Sequence, residues 1–185
     1  MKPSSKGTPL KVLLPLVLVL LVAAVLRWAA LPEMSDMLNF DESFYAIDAL
    51  SLLESPRFTP FFEGNTGRQS AWMYILALFF LGLGPTPFAA RLAATFVSLL
   101  TVAAAYQLGR ALLGRVAAVG AAAAMATLYL PVHFGHIAFR ANLLPLLGAL
   151  SLVFLLAAIR RGRLAFWVAT GVTLGLMSYS YISAY

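Results

Sequence analysis

The chain has 185 residues, 62% hydrophobic and only 11% charged, with a mean hydropathy of +0.88. That excludes a soluble globular domain, whose charged fraction is about twice as large, and reads as an integral membrane protein. The absence of cysteine removes disulfides, thiolate metal ligands and a cysteine nucleophile, and the net charge of +6 is first a record of membrane insertion.

The first apolar stretch, Val12 to Ala30, approaches the ~20 residues that cross a hydrocarbon core and follows Lys2, Lys6 and Lys11. Arg27 and Trp28 stand where a signal peptide would need small residues, so the stretch reads as an uncleaved anchor with a cytoplasmic amino terminus. A polar segment, 31–87, follows it. All acidic residues of the chain lie between Glu33 and Glu63 within this segment.

Asp41 and Glu42 form an adjacent carboxylate pair at the start of a predicted amphipathic helix. Phe44, Ile47 and Leu50 lie on one side of it, and Tyr45, Asp48 and Ser51 on another. One reading makes Asp41 the N-cap, worth about 1 kcal/mol and free of catalysis. The other makes it a general base for a hydroxyl acceptor at the bilayer surface. Beyond a turn at Gly67, Arg68 either pairs with a lipid phosphate or anchors the next helix, where Trp72 and Tyr74 suit the headgroup zone. That helix, Ser70 to Gly84, extends only about 22 Å, short of a ~30 Å core, and is expected to lie on the surface.

Further spans are expected at about 88–108, 116–134, 142–159 and 164–185. With 70–84 on the surface, eight of the 13 basic residues are cytoplasmic and five outside; a crossing helix would invert the ratio against the usual bias. Asp41, Glu42, Arg68, Arg91, His133, His136, Arg140 and Asn142 then share the outer face. His133 and His136, spaced i and i+3, either ligate a metal or end a helix in water. Arg140 closes the outer mouth, where it pairs with Asp41, with Glu42 or with a phosphate, or snorkels. The turn Arg160-Arg161-Gly162-Arg163 orients the spans and is not a nucleic-acid patch. No phosphate-cradling glycine loop or nucleophile elbow occurs. The expected fold is all-α, a multi-pass transmembrane helical bundle with amphipathic juxtamembrane helices in the first outer loop.

Asp41-Glu42 after the first span, Gly67-Arg68-Gln69, Gly84 with Arg91, the Tyr106 to Arg115 turn, Phe139-Arg140-Ala141-Asn142-Leu143-Leu144-Pro145 and Gly175 to Tyr181 follow one another along nearly the whole chain. In order and spacing they resemble the GT-C membrane glycosyltransferases, in particular glycosyltransferase family 39, which includes protein O-mannosyltransferases and aminoarabinose transferases. Gln69 stands where such relatives often carry glutamate, Asn142 where several branches carry aspartate, and His136 where arginine is expected.

The resemblance implies inverting transfer of a sugar from a polyprenyl-phosphate-linked donor to a glycan, lipid or protein acceptor at the outer face of the plasma (inner) membrane. Asp41 is then the catalytic base, and Glu42, Tyr45, Arg68 and Arg140 bind substrate. No cofactor is assigned, although a divalent cation is compatible with the acid pair. Membrane lipids are partners and nucleic acid is not. The family continues beyond a segment of this length, so residues 1–185 are expected to be the amino-terminal part of the catalytic unit. A transporter or flippase for a lipid-linked sugar and an inactive truncated membrane module are the competing readings.

Overall fold

A computed structural model describes residues 9–29, 31, 37–64 and 67–181. The expectations that fall on Lys2, Lys6, Glu33 and residues 182–185 lie outside the described residues. Among the described residues eight α-helices follow in chain order: α1 (Pro9–Trp28), α2 (Phe40–Glu54), α3 (Ala71–Leu83), α4 (Pro87–Leu113), α5 (Arg115–Thr127), α6 (Tyr129–Phe134), α7 (Leu143–Arg161) and α8 (Leu164–Ser178). A 3-10 turn, Arg140–Asn142, leads into α7. Two short antiparallel strands, β1 (Phe61–Phe62) and β2 (Arg68–Gln69), close the loop between α2 and α3.

The spine is α4. Thr86 caps it by accepting from Ala89 N, Pro87 opens its first turn with a preset φ, and Gly114 at φ 90° ends it. Its buried face is built from Ala89, Ala90, Ala93, Ala94 and Ala104, small residues that let neighbouring backbones approach. At Gly109 a Cβ would fall 2.9 Å from the Ala118 Cα, so that glycine sets the approach of α5. Helices α1, α3, α5 and α7 all pack on α4, and α8 packs on α7, where Ser151 Oγ lies 3.0 Å from Thr173 Oγ1.

By length and composition two helical stretches can cross a membrane, Pro87–Leu113 and Arg140–Arg161. The apolar stretches 13–28, 71–83, 115–127 and 164–178 are shorter. The expected surface helix is α3, and the expected span 88–108 runs on to Leu113. The expected continuous span 116–134 is broken: Leu128 is extended, at φ −65° and ψ 144°, and divides α5 from α6. Pro131 is the reason. It lacks an N–H and its ring crowds the carbonyl four residues back, at Thr127. The expected helix through 185 ends at Ser178 in a turn.

Two carbonyls freed at this break, Met125 O and Ala126 O, are met by one side chain. Arg27, fully buried near the end of α1, donates through Nη1 to Ala126 O (3.1 Å) and through Nη2 to Met125 O (2.9 Å) and Pro131 O (3.3 Å). It also donates to Ser98 Oγ (2.8 Å) and Ala23 O (3.2 Å). One guanidinium thus joins α1, α4, α5 and α6. The larger core lies elsewhere, around Trp72, Met73 and Leu76 of α3, which are 0% exposed and pack among α2, α4 and α7.

Candidate active site

The site is organised by the start of α2. The N-cap is Asn39, not Asp41 as expected. Asn39 Oδ1 accepts from Glu42 N (2.9 Å), and Glu42 Oε2 accepts from Asn39 N (3.0 Å), a reciprocal capping box. Asparagine followed three residues later by glutamate is the sequence signature of that box, and it starts the helix ahead of Asp41. Asp41 therefore sits in the first turn, two residues after the cap.

Glu42 is 2% exposed and reaches across the fold. Its Oε1 accepts from Ala138 N (2.7 Å), and Arg91 Nη2 lies 3.6 Å from its Oε2. Arg91 also donates to Met37 O (2.9 Å). On the carbonyl side of the same residue, Trp72 Nε1 donates to Ala138 O (3.0 Å). The linker between α6 and α7 is thereby fixed to α2 and α3. Asn142 holds it from within, its Nδ2 donating to Phe134 O (2.7 Å) and Ile137 O (2.9 Å). An aspartate at 142 has no donor for either carbonyl.

Arg68 is buried beside Asp48. Its Nε donates to Asp48 Oδ2 at 2.9 Å, a second bond runs from Nη2, and its guanidinium lies 5.0 Å from the Phe44 ring centre. Burial raises the Asp48 carboxyl above its usual range, and the Arg68 bond opposes the rise. Arg140 takes a different environment. Its Nη1 donates to Gln69 Oε1 (2.9 Å), and its guanidinium faces the Tyr181 ring at 4.9 Å and the Tyr45 ring at 6.0 Å. Tyr45 is almost fully buried. Burial pushes its phenol up to about 12, the Arg140 charge pulls it down, and the Asp41 charge adds to the rise.

Asp41 is partly exposed and lines an open cavity of about 320 Å³ with Asn39, Phe40, Phe134, Ile137 and Phe139. Phe134 and Phe139 also line a second, apolar cavity of about 340 Å³ reaching Ser98, Met125 and Pro145. Of the residues singled out in the sequence, the structure gathers Asp41, Tyr45 and Arg140 into one electrostatic neighbourhood. It sets Glu42 and Arg68 behind them, each engaged by protein partners.

His133 stacks on Tyr129 at 5.4 Å, and burial lowers the His136 imidazole below its usual range. Among the described residues no three His, Asp or Glu side chains gather as a metal site. Sequence reasoning missed Asn39, the capping role of Glu42, and Tyr181. The Asn39-x-x-Glu42 spacing could have revealed the first two. Tyr181 gave no signal, because its role depends on the turn after α8.

Residues 70–185 match the family described as dolichyl-phosphate-mannose-protein mannosyltransferase. No curated protein and no solved structure matches the chain.

Proposed function

The chain belongs to the dolichyl-phosphate-mannose-protein mannosyltransferase family, membrane glycosyltransferases of the GT-C type, and from that premise we propose that it transfers a sugar from a polyprenyl-phosphate donor to a hydroxyl acceptor outside the cytoplasm. The observation that carries the proposal is Asp41, in the first turn of α2 at the rim of an open cavity and in the same electrostatic neighbourhood as Tyr45 and Arg140.

In this reading the Asp41 carboxylate removes the acceptor's proton as the acceptor oxygen attacks the anomeric carbon. The bond from that carbon to the phosphate oxygen breaks on the opposite face, giving inversion, and polyprenyl phosphate leaves with the electron pair. Negative charge grows on the leaving phosphate. Arg140 supplies the compensating charge, because its protein partners are a neutral glutamine and two aromatic rings. Tyr45, held neutral at physiological pH, lines the approach and orients Arg140. Glu42 positions the basic and backbone groups around it, and Arg68, paired with Asp48, anchors the strand that carries Gln69. The active face is outward, in a multi-pass bundle of the plasma (inner) membrane with a cytoplasmic amino terminus.

The test is transfer from a panel of radiolabelled polyprenyl-phosphate sugars in membranes, comparing the chain with Asp41→Asn. Loss of transfer by about 10²-fold or more, with donor binding retained, is expected for a general base. Unchanged transfer refutes the assignment. Donor binding without transfer in both proteins would favour a lipid-linked sugar transporter.

A further inference from the structure

The far end of α4 carries a feature that the transfer reaction does not use. Arg110 in its last turn and Arg160 and Arg161 in the last turn of α7 line one groove of about 390 Å³, with Gln107 and Ala157 among the remaining lining residues. No carboxylate lines it. All seven acidic residues of the chain lie between Glu33 and Glu63, and Arg91, the partner of Glu42, sits about 28 Å from Arg110 along α4 at ~1.5 Å per residue.

Two of the three guanidiniums are already held. Arg160 Nη2 donates to Ala111 O at 2.6 Å, and Arg161 faces the Phe166 ring at 5.3 Å. Neither contact neutralises charge. Three like charges around one concavity repel one another, and the repulsion is relieved by an anion that accepts several hydrogen bonds at once. Carbonyl and aromatic contacts hold the forks in place, so little freedom is lost when they close on a tetrahedral oxyanion.

We propose that this groove is a binding site for a phosphate group, the headgroup of an anionic phospholipid at the membrane surface being the ligand that fits its place in the bundle. The site is separate from Asp41 and stands whether or not Asp41 is the base. A bound lipid there would link α4 to α7 at the end opposite the candidate active site.

The experiment is native mass spectrometry of the full chain in detergent at physiological salt. The probes are phosphatidic acid, phosphatidylcholine as the zwitterionic control, and inorganic phosphate. The expected result is preferential binding of phosphatidic acid, weakened roughly tenfold or more in Arg110→Gln, which removes charge-assisted bonds. Arg163→Gln removes the same charge from an exposed neighbour that does not line the groove and so takes no hydrogen bond from the ligand, and should change binding by less than about twofold. Equal loss in both variants would show a diffuse surface charge and overturn the site, as would equal binding of phosphatidylcholine. Inorganic phosphate binding as tightly as phosphatidic acid, with the same sensitivity to Arg110→Gln, would support the site and assign it to free phosphate.

Discussion

Removing the Arg27 guanidinium should unseat the junction between α5 and α6. Arg27→Leu keeps much of the side-chain volume but withdraws the donor from Met125 O and Ala126 O, carbonyls exposed by the break at Leu128, while Pro131 O still accepts from Gly135 N (3.1 Å). A buried polar group left without a partner costs ~1–3 kcal/mol, and two carbonyls are left so. Part is returned, because the variant no longer holds a cation away from water without a carboxylate beside it. The net expectation is a destabilisation of about 2–4 kcal/mol. At ~2–4 °C per kcal/mol for a chain of this size, the melting temperature in detergent falls by about 10 °C. Arg27→Lys should lie between the two, since one ammonium has three donors and cannot span five acceptors. Gly135→Ala provides a separate perturbation: its Cβ would come within 2.9 Å of Ser98 Oγ and 3.0 Å of Arg27 Nε, so it should displace the same guanidinium from the other side. A melting temperature for Arg27→Leu within ~2 °C of the parent would refute this account of the break.

Gln69→Glu places a carboxylate on Arg140; if Arg140 answers the donor phosphate, KM for donor rises severalfold while folding is unaffected, and an unchanged KM removes Arg140 from that role. Glu42→Gln keeps the shape of the capping box but replaces one carboxylate oxygen with a donor. It is expected to cost about 1–3 kcal/mol in a thermal melt, and no measurable cost would mean that the Ala138 N bond contributes little. Tyr45 links stability to alkaline pH. Its phenol is raised to about 12 from an unfolded value of ~10, so the unfolded chain loses the proton first. The contribution, about 3 kcal/mol at most, is complete below pH ~10 and is lost as pH rises towards 12. Melting curves over that range should be steeper for the parent than for Tyr45→Phe, and parallel curves would contradict the linkage.

The helical class was legible because apolar stretches of this length leave the backbone few other ways to satisfy its hydrogen bonds in a membrane. The helix at 71–83 was legible as one too short to cross a bilayer. The break at Leu128 was less so, since a run from Val116 to Phe134 is apolar throughout and only Pro131 marks the interruption. What makes the break stable is Arg27, about a hundred residues away in sequence, and no local pattern announces such a partner. In the site, Arg140 was expected near Asp41 or Glu42, and Tyr45 stands one helical turn after Asp41. The engagement of Arg68 by Asp48 was not legible, because a buried arginine and a phosphate-binding arginine look alike until the carboxylate one helix away is located. The same holds for Gln69 and Asn142. Each looked like a missing acid, yet each makes amide bonds in the structure, as acceptor from Arg140 and as donor to the linker.

Ala138 is gripped through both of its peptide groups, its N–H by Glu42 of α2 and its carbonyl by Trp72 of α3. Arg140 is two residues further on and Asp41 is the neighbour of Glu42, so the basic and acidic members of the candidate site share one mechanical joint. An acceptor that tilts α2 on entering must drag the Ala138 linker with it, and Arg140 moves in the same stroke. Arrival on one side of the cleft would therefore be felt on the other without any longer-range rearrangement of the bundle.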